Sequence, residues 1–350
     1  MYSLKELLKI AVKDKASDLH LTVGLPPIIR VNGMLKKLDY KDLSSHETEE
    51  YAKIILQNKY EVYQNTGDFD IAYFIEGLGR FRVNVFKQRN NTALVIRIIP
   101  LKIIDLEELK HPNIIKELCY KKSGLVLITG PTGSGKSTTL SAMINEINRN
   151  SACHIVTLED PIEFLHKHNK SIVNQREIGT DSLSYNKALK AILREDPDVI
   201  LIGEMRDLET IALAITAAET GHLVFATLHT IGAVKTIDRI VDVFPPNQQN
   251  QVRIQLSSII EGVVSQQLVI TKDRKRVAAL EIMISTLAIR NLIREGKNHQ
   301  IQSLIQTGNK YGMVTMDDYL IKLCKQGIIE REIALEFSTD KEMVSKSILY

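Results

Sequence analysis

The sequence predicts an α/β protein in two parts, a small mixed region followed by a larger one built on a mostly parallel sheet. Three observations carry this. Residues 130–137 read GPTGSGKS, the pattern G-x-x-x-x-G-K-[ST], set between an apolar run and a helix-like stretch. From Gly124 onward, short apolar runs alternate with helical patterns, which implies parallel strands joined by crossover helices. The first hundred residues instead carry hairpin signals. A length of 350 residues suits about two such domains.

In chain order, residues 4–12 place Leu4, Leu7, Leu8 and Ala11 on one helical face. Residues 18–23 alternate as a strand and stop before Pro26-Pro27. Residues 28–31 and 34–38 flank Asn32-Gly33, a hairpin turn signal. Residues 80–86 and 93–99 form a second strand pair around a polar turn at 88–91, where asparagine tolerates positive φ. Arg82 and Arg97 stand in these apolar strands. A buried Arg there needs an anionic partner, either an internal carboxylate or a triphosphate in an adjacent site. Residues 101–123 read as a linker with its own helices, and Asp105 with Glu108 has the spacing of a capping box. The expected division is 1–100, a linker 101–123, 124–289, and a helical C-terminal region 290–350.

Residues 125–129 read as a buried strand and 138–144 as a helix, so GPTGSGKS has the strand–loop–helix setting the motif needs. Its glycines let backbone N–H groups close on phosphate oxygens, and the helix adds unpaired N–H groups and the positive end of its dipole. Lys136 is expected to reach the outer phosphates and the Ser137 hydroxyl to bind Mg²⁺. The nucleotide-binding set is then Gly130, Pro131, Thr132, Gly133, Ser134, Gly135, Lys136, Ser137 and Thr138, and the chemistry is nucleoside-triphosphate hydrolysis.

Further strands are expected at 154–158, 199–202 and 223–227. Residues 199–202 end in Gly203-Glu204, a Walker B arrangement whose carboxylate sits where parallel sheets place ligands. Glu204 could hold the Mg²⁺ shell or orient the attacking water. The strand at 154–158 ends in Glu159-Asp160-Pro161-Ile162-Glu163. One carboxylate of this edge can act as general base, a role contributing about 10²–10⁴-fold, and spacing alone does not choose it. His222 and His229 bracket the last strand. Each could sense the γ-phosphate or be a structural histidine, and roughly 20 Å of extended strand between them argues against a shared metal.

A net charge of +3, with no basic tail and no basic aromatic stretch, argues against a nucleic-acid-dependent ATPase or translocase. Cys119, Cys153 and Cys324 lack the paired spacing of a disulfide framework or zinc site. There is no signal peptide and no apolar run near the ~18 residues that span a bilayer. A cytoplasmic protein, peripheral to any membrane, is expected.

Together these motifs resemble the secretion-type ATPases that power type IV pili and type II secretion, over nearly the whole chain. TLEDPIEF at 157–164 is similar to the family's acidic box, LREDPDVILIGEMRD at 193–207 to its Walker B segment, and GHLVFATLHT at 221–230 to its His box. ASDLHL at 16–21 and RVNGML at 30–35 resemble its N-terminal domain. AIRNLIREGK at 288–297 is similar to the signature of the PilT branch, the pilus-retraction motors. Read as a helix, it puts Ile289, Leu292 and Ile293 on one face, with Arg290, Arg294 and Lys297 as an adjacent basic stripe.

The resemblance implies a PAS-like N-terminal domain followed by a RecA-like P-loop ATPase domain with a helical C-terminal region. It implies ATP and Mg²⁺ as cofactors and a homohexamer with nucleotide sites formed between domains and subunits. An inner-membrane pilus platform protein would be the partner, at the cytoplasmic face of that membrane. Glu163 matches the acidic-box glutamate given the general-base role, Glu204 the Walker B glutamate, and His222 and His229 the His box. Arg82 and Arg97 match arginines that face the nucleotide from the N-terminal domain. Ala288, Ile289, Arg290, Asn291, Leu292, Ile293, Arg294 and Glu295 form the expected coupling motif. A pilus-extension or type II secretion ATPase is the alternative. Those members commonly carry a four-cysteine metal element, which three scattered cysteines do not supply.

Overall fold

The computed structural model describes residues 2–31, 33–99 and 103–349. Asn32 of the expected hairpin turn and residues 101 and 102 of the expected linker lie outside them. The chain divides into two compact units, residues 1–102 and 103–350, and the helical region 290–350 belongs to the second.

In the first unit the strands are β1 (Asp18–Leu21), β2 (Ile28–Val31), β3 (Met34–Lys37), β4 (Asp68–Ile75), β5 (Gly79–Gln88) and β6 (Asn91–Ile99). They form one antiparallel sheet in the order β3-β2-β1-β6-β5-β4. Helices Leu4–Lys13 and Ser45–Leu56 each begin in a reciprocal capping box, Ser3 with Glu6 and Ser44 with Glu47. The first helix buries the four residues its periodicity selects, Leu4, Leu7, Leu8 and Ala11. These pack with Leu19, Ile29, Val83 and Ile96 from one face of the sheet. The β5–β6 hairpin turns through Arg89 and Asn90, at φ 49° and 62°, the left-handed pair that a two-residue hairpin turn requires.

The other face of this sheet corrects the expectation of buried arginines. Arg82 and Arg97 are cross-strand partners, and their side chains keep 43 % and 65 % of their surface in solvent. Strand alternation turns them away from Phe81, Val83 and Ile96, which fill the core. Arg97 Nε donates to Asp18 Oδ1 at 3.0 Å, so an internal carboxylate is its partner. Across the sheet, Arg82, Arg97, Asp18 and Arg30 form one row by register.

The second unit is built on β7 (Gly124–Thr129), β8 (His154–Glu159), β9 (Ile172–Glu177), β10 (Val199–Ile202), β11 (Leu223–Leu228), β12 (Ile260–Ile270) and β13 (Arg276–Ile284). The order is β13-β12-β7-β11-β10-β8-β9, parallel throughout except for β13. Side chains alternate between two apolar layers. Leu125 and Leu127 face the helices Leu208–Glu219 and Ala233–Asp242, while Val126 and Ile128 face Lys136–Asn150 and the C-terminal helix Met316–Lys325. Between Ile260 and Gly262 the register of β12 on β7 shifts by one residue, a bulge at Glu261.

Three strands of this sheet were not among those expected, and each has a physical reason. β9 is an edge strand carrying Asn174, Gln175 and Arg176, so it has no apolar run. Helix Pro246–Ile259 passes into β12 at Ile260 with no Gly or Pro between them, and β13 follows from that hairpin. Asp105 also departs from its capping box. It holds the N-cap backbone position without a side-chain cap, and its carboxylate instead accepts from Asn145 at 2.9 Å and pairs with Arg149 at 2.8 Å.

Candidate nucleotide site

β7 delivers the loop 130–137 at its C-terminal end, beside the C-terminal ends of β11, β10 and β8. Gly130 N–H donates to the Leu228 carbonyl at 3.2 Å, which moors the loop to β11. Only glycine fits there. Its φ is +142°, and a Cβ would lie 2.1 Å from the Gln266 carbonyl oxygen. Helix Lys136–Asn150 starts from Gly135 with no side-chain cap, leaving first-turn N–H groups directed at the loop. The Lys136 ammonium donates to the Gly130 and Pro131 carbonyls at 2.8 and 3.1 Å. Phosphate oxygens would make stronger, charge-assisted bonds than these neutral carbonyls. Burial lowers the Lys136 pKa, and the nearby charges of Glu204 and Glu163 act against that lowering. Loop, Walker B acid and acidic box are therefore within electrostatic reach of one another.

Two residues beyond β10, Glu204 is gripped from both sides. Its Oε2 pairs with Arg206 at 2.8 Å and its Oε1 with His229 Nε2 at 3.2 Å. Burial works to raise the Glu204 pKa, but the Arg206 hydrogen bond and the charges of His229 and Arg206 outweigh it and hold the group below the usual carboxylate range. His229 Nδ1 lies 3.4 Å from the Thr132 hydroxyl, so one imidazole bridges the phosphate loop and the Walker B acid.

Glu159 closes β8. Its carboxylate accepts from the Thr157 hydroxyl at 2.7 Å and the Gln175 amide at 3.1 Å, and burial pushes its pKa up. Glu159 in turn accepts from the Glu163 backbone N–H at 3.4 Å, while Ile162 N–H donates to Glu177 at 3.0 Å. These anchors hold the segment 160–164 and leave the Glu163 side chain exposed.

The structure thus gathers Lys136, Glu163, Glu204 and His229 at one sheet edge. It does not bring His222 to them. His222 precedes β11 at the opposite edge, where its ring meets the Ala217 carbonyl at 2.9 Å and the Thr220 hydroxyl at 3.1 Å. The coupling motif also departs from the expected stripe. The helix spans Leu287–Arg294 from a Thr286 N-cap, and Gly296, at φ +69°, turns the chain before Lys297. Arg290 is partly buried. It pairs with Glu261 at 2.7 Å and donates to the Ser257 and Ser258 carbonyls, the last turn of helix Pro246–Ile259. Arg294 is exposed, next to Leu287, Ala288 and Asn291.

Sequence reasoning missed two side chains of this site. Arg206 stands in the Walker B segment at 193–207 without an expected role, and spacing alone does not pair it with Glu204. Gln266 is 2 % exposed and donates to the Ser134 carbonyl of the loop at 2.6 Å. Its signal is the polar triplet Ser265-Gln266-Gln267 between the apolar pairs Val263-Val264 and Leu268-Val269, with Gln266 the member turned to the loop.

A P-loop at the carboxyl edge of a parallel sheet, with a Walker B glutamate two strands away, defines a nucleoside triphosphatase. The family model "Type II/IV secretion system protein" matches residues 2–306. The type IV pilus retraction ATPase PilT of Pseudomonas aeruginosa is 50 % identical over 95 % of this chain and 97 % of its own. The "Twitching motility protein" of Neisseria gonorrhoeae is 47 % identical over 98 % of this chain and 92 % of its own. A crystal structure of the pilus retraction motor PilT with bound ADP superposes at a TM-score of 0.93, with 49 % identity, covering 99 % of this chain and all of that one. The chain belongs to the type II/IV secretion system protein family and, within it, to the PilT-type retraction ATPases.

Proposed function

We propose that this chain is the motor subunit of type IV pilus retraction and drives twitching motility by hydrolysing ATP. The observation that carries the reading is the convergence of loop, Glu204, Glu163 and His229 at one edge of the sheet. ATP seats its phosphates on the loop 130–137 and Lys136. Water attacks the γ-phosphorus in line, a new P–O bond forms, and the bond to the β–γ bridging oxygen breaks. Glu204 is an anion already engaged by Arg206 and His229, so the proton of the water is assigned to Glu163. Mg²⁺ fits the donors present, the Ser137 hydroxyl and, through water, the Glu204 carboxylate, both hard oxygens. When bound, it neutralises charge on the phosphates.

The first unit is read as PAS-like and the second as RecA-like. The working assembly is a homohexamer, and helix Leu287–Arg294 is the coupling element toward an inner-membrane platform protein. Among the described residues no helix is long and apolar enough to cross a membrane. We place the protein at the cytoplasmic face, held there by its partner.

Steady-state phosphate release by the purified chain tests the chemistry. Lys136→Ala and Glu204→Ala each abolish turnover, and near-normal hydrolysis by either variant would sink the mechanism. In cells, loss of the chain leaves excess surface pili and no twitching. Normal retraction in its absence rejects the cellular role.

A further inference from the structure

Beneath the phosphate loop runs a chain of buried polar groups that none of the hydrolysis steps uses. Gln266 on β12 places its Nε2 2.6 Å from the Ser134 carbonyl. The Thr139 hydroxyl donates to Gln266 Oε1 at 2.8 Å, and His111 Nε2 lies 3.0 Å from that hydroxyl. Thr139 and Gln266 are 1 % and 2 % exposed. The direction of every bond follows from its neighbours. A carbonyl only accepts, so the Gln266 amide nitrogen must face Ser134 and its oxygen must face Thr139. That oxygen takes the single Thr139 proton, so the hydroxyl offers His111 only a lone pair. His111 must then carry its hydrogen on Nε2. Burial lowers the His111 pKa to about 4, which keeps it a neutral donor near neutral pH. The contact at the loop is close as well as directed. A Cβ on Gly135 would lie 2.8 Å from Gln266 Nε2.

We propose that His111, Thr139 and Gln266 are positioning residues for the phosphate loop. Together they form a one-way hydrogen-bond relay that fixes the Ser134 carbonyl and with it the curvature that aims the loop's N–H groups at phosphate. The inference rests on the reading that this loop binds nucleotide. It makes the loop's shape depend on two places distant in sequence, the segment before β7 and strand β12.

Thr139 separates positioning from bulk. Thr139→Val keeps the volume but strands the Gln266 oxygen and the His111 N–H, whereas Thr139→Ser keeps the hydroxyl. In the full chain, Thr139→Val weakens fluorescent-ADP binding and raises the KM for ATP by about tenfold, with kcat changed much less. Thr139→Ser stays within about twofold of the wild type. Should Thr139→Val fail to fold, the less deeply buried end of the relay, His111, gives the same reading. His111→Phe weakens ADP binding several-fold and His111→Gln, a neutral donor, restores it. Wild-type ADP affinity in Thr139→Val or His111→Phe overturns the relay alone. A wild-type chain that binds no ADP overturns the nucleotide reading, and the relay with it.

Discussion

Glu204 sits between Arg206 and His229, and its ionisation reflects that grip. Its folded pKa is held below the ordinary value, so the group contributes stability that is present above the unfolded pKa and is lost as pH falls through the folded one. Arg206→Ala removes the largest influence pulling it down and leaves burial, which pushes up. The acid limb of kcat against pH therefore moves to higher pH in Arg206→Ala, and an unmoved limb means that the pair does not set this ionisation. Lys136 and Glu204 were legible in the sequence because each has a fixed place relative to an apolar strand. Arg206 and Gln266 were legible as residues but not as partners, since their contacts depend on how the chain returns across the sheet. Arg97 was misjudged because an Arg among apolar residues looks buried until the alternation of the strand is applied to it.

Helix Leu287–Arg294 divides its two arginines between different tasks. Arg290 ties the helix to Glu261 and to the end of helix Pro246–Ile259, whereas Arg294 faces solvent. Arg290→Ala is expected to destabilise the fold by about 1–3 kcal/mol, the range for stranding a partly buried hydrogen-bonding partner. The remaining Lys121–Glu261 pair, at 3.0 Å, keeps the loss toward the lower end. Arg294→Ala leaves the melting temperature unchanged and impairs retraction in cells. Thermal melts of the two variants beside a twitching assay check the division, and equal destabilisation by both would remove it. The apolar face of this helix was readable from its periodicity, with Ile289 and Ile293 fully buried. The basic stripe was not, because the helical spacing was carried past Gly296, where the chain has already turned.

At the scale of the molecule, the parallel sheet collects its chemistry along one edge, and the arginine row lies on a different compact unit. The reading that Arg82 and Arg97 face nucleotide requires, in the proposed ring, that they serve nucleotide held by another copy, in exchange for carboxylate partners such as Asp18. The double variant Arg82→Ala/Arg97→Ala should then lose roughly 10³-fold or more in turnover, the range of an arginine finger. Mixed with Lys136→Ala chains it should recover part of that activity, because some sites then combine an intact loop with intact arginines. ATPase assays on co-assembled mixtures decide this, and a mixture no more active than its parts would confine the arginines to their own chain. The two-part architecture was readable from the change between hairpin signals and alternating strands and helices. The place of β12 was not, since a helix leads into it without punctuation.

That strand carries a consequence of its own. Ser265 and Gln266 are adjacent on β12 and point to opposite layers. Gln266 supports the phosphate loop, while Ser265 accepts from Gly232 N–H at 2.8 Å, where the helix after His229 begins. Which residue looks which way is set upstream by the bulge at Glu261. Removing a single residue there would invert the phase of the whole strand and swap the two supports, without altering the chemistry of either. The supports of the phosphate loop and of the helix after His229 are thus indexed by a count of residues, and this stretch should tolerate changes of type far better than changes of length.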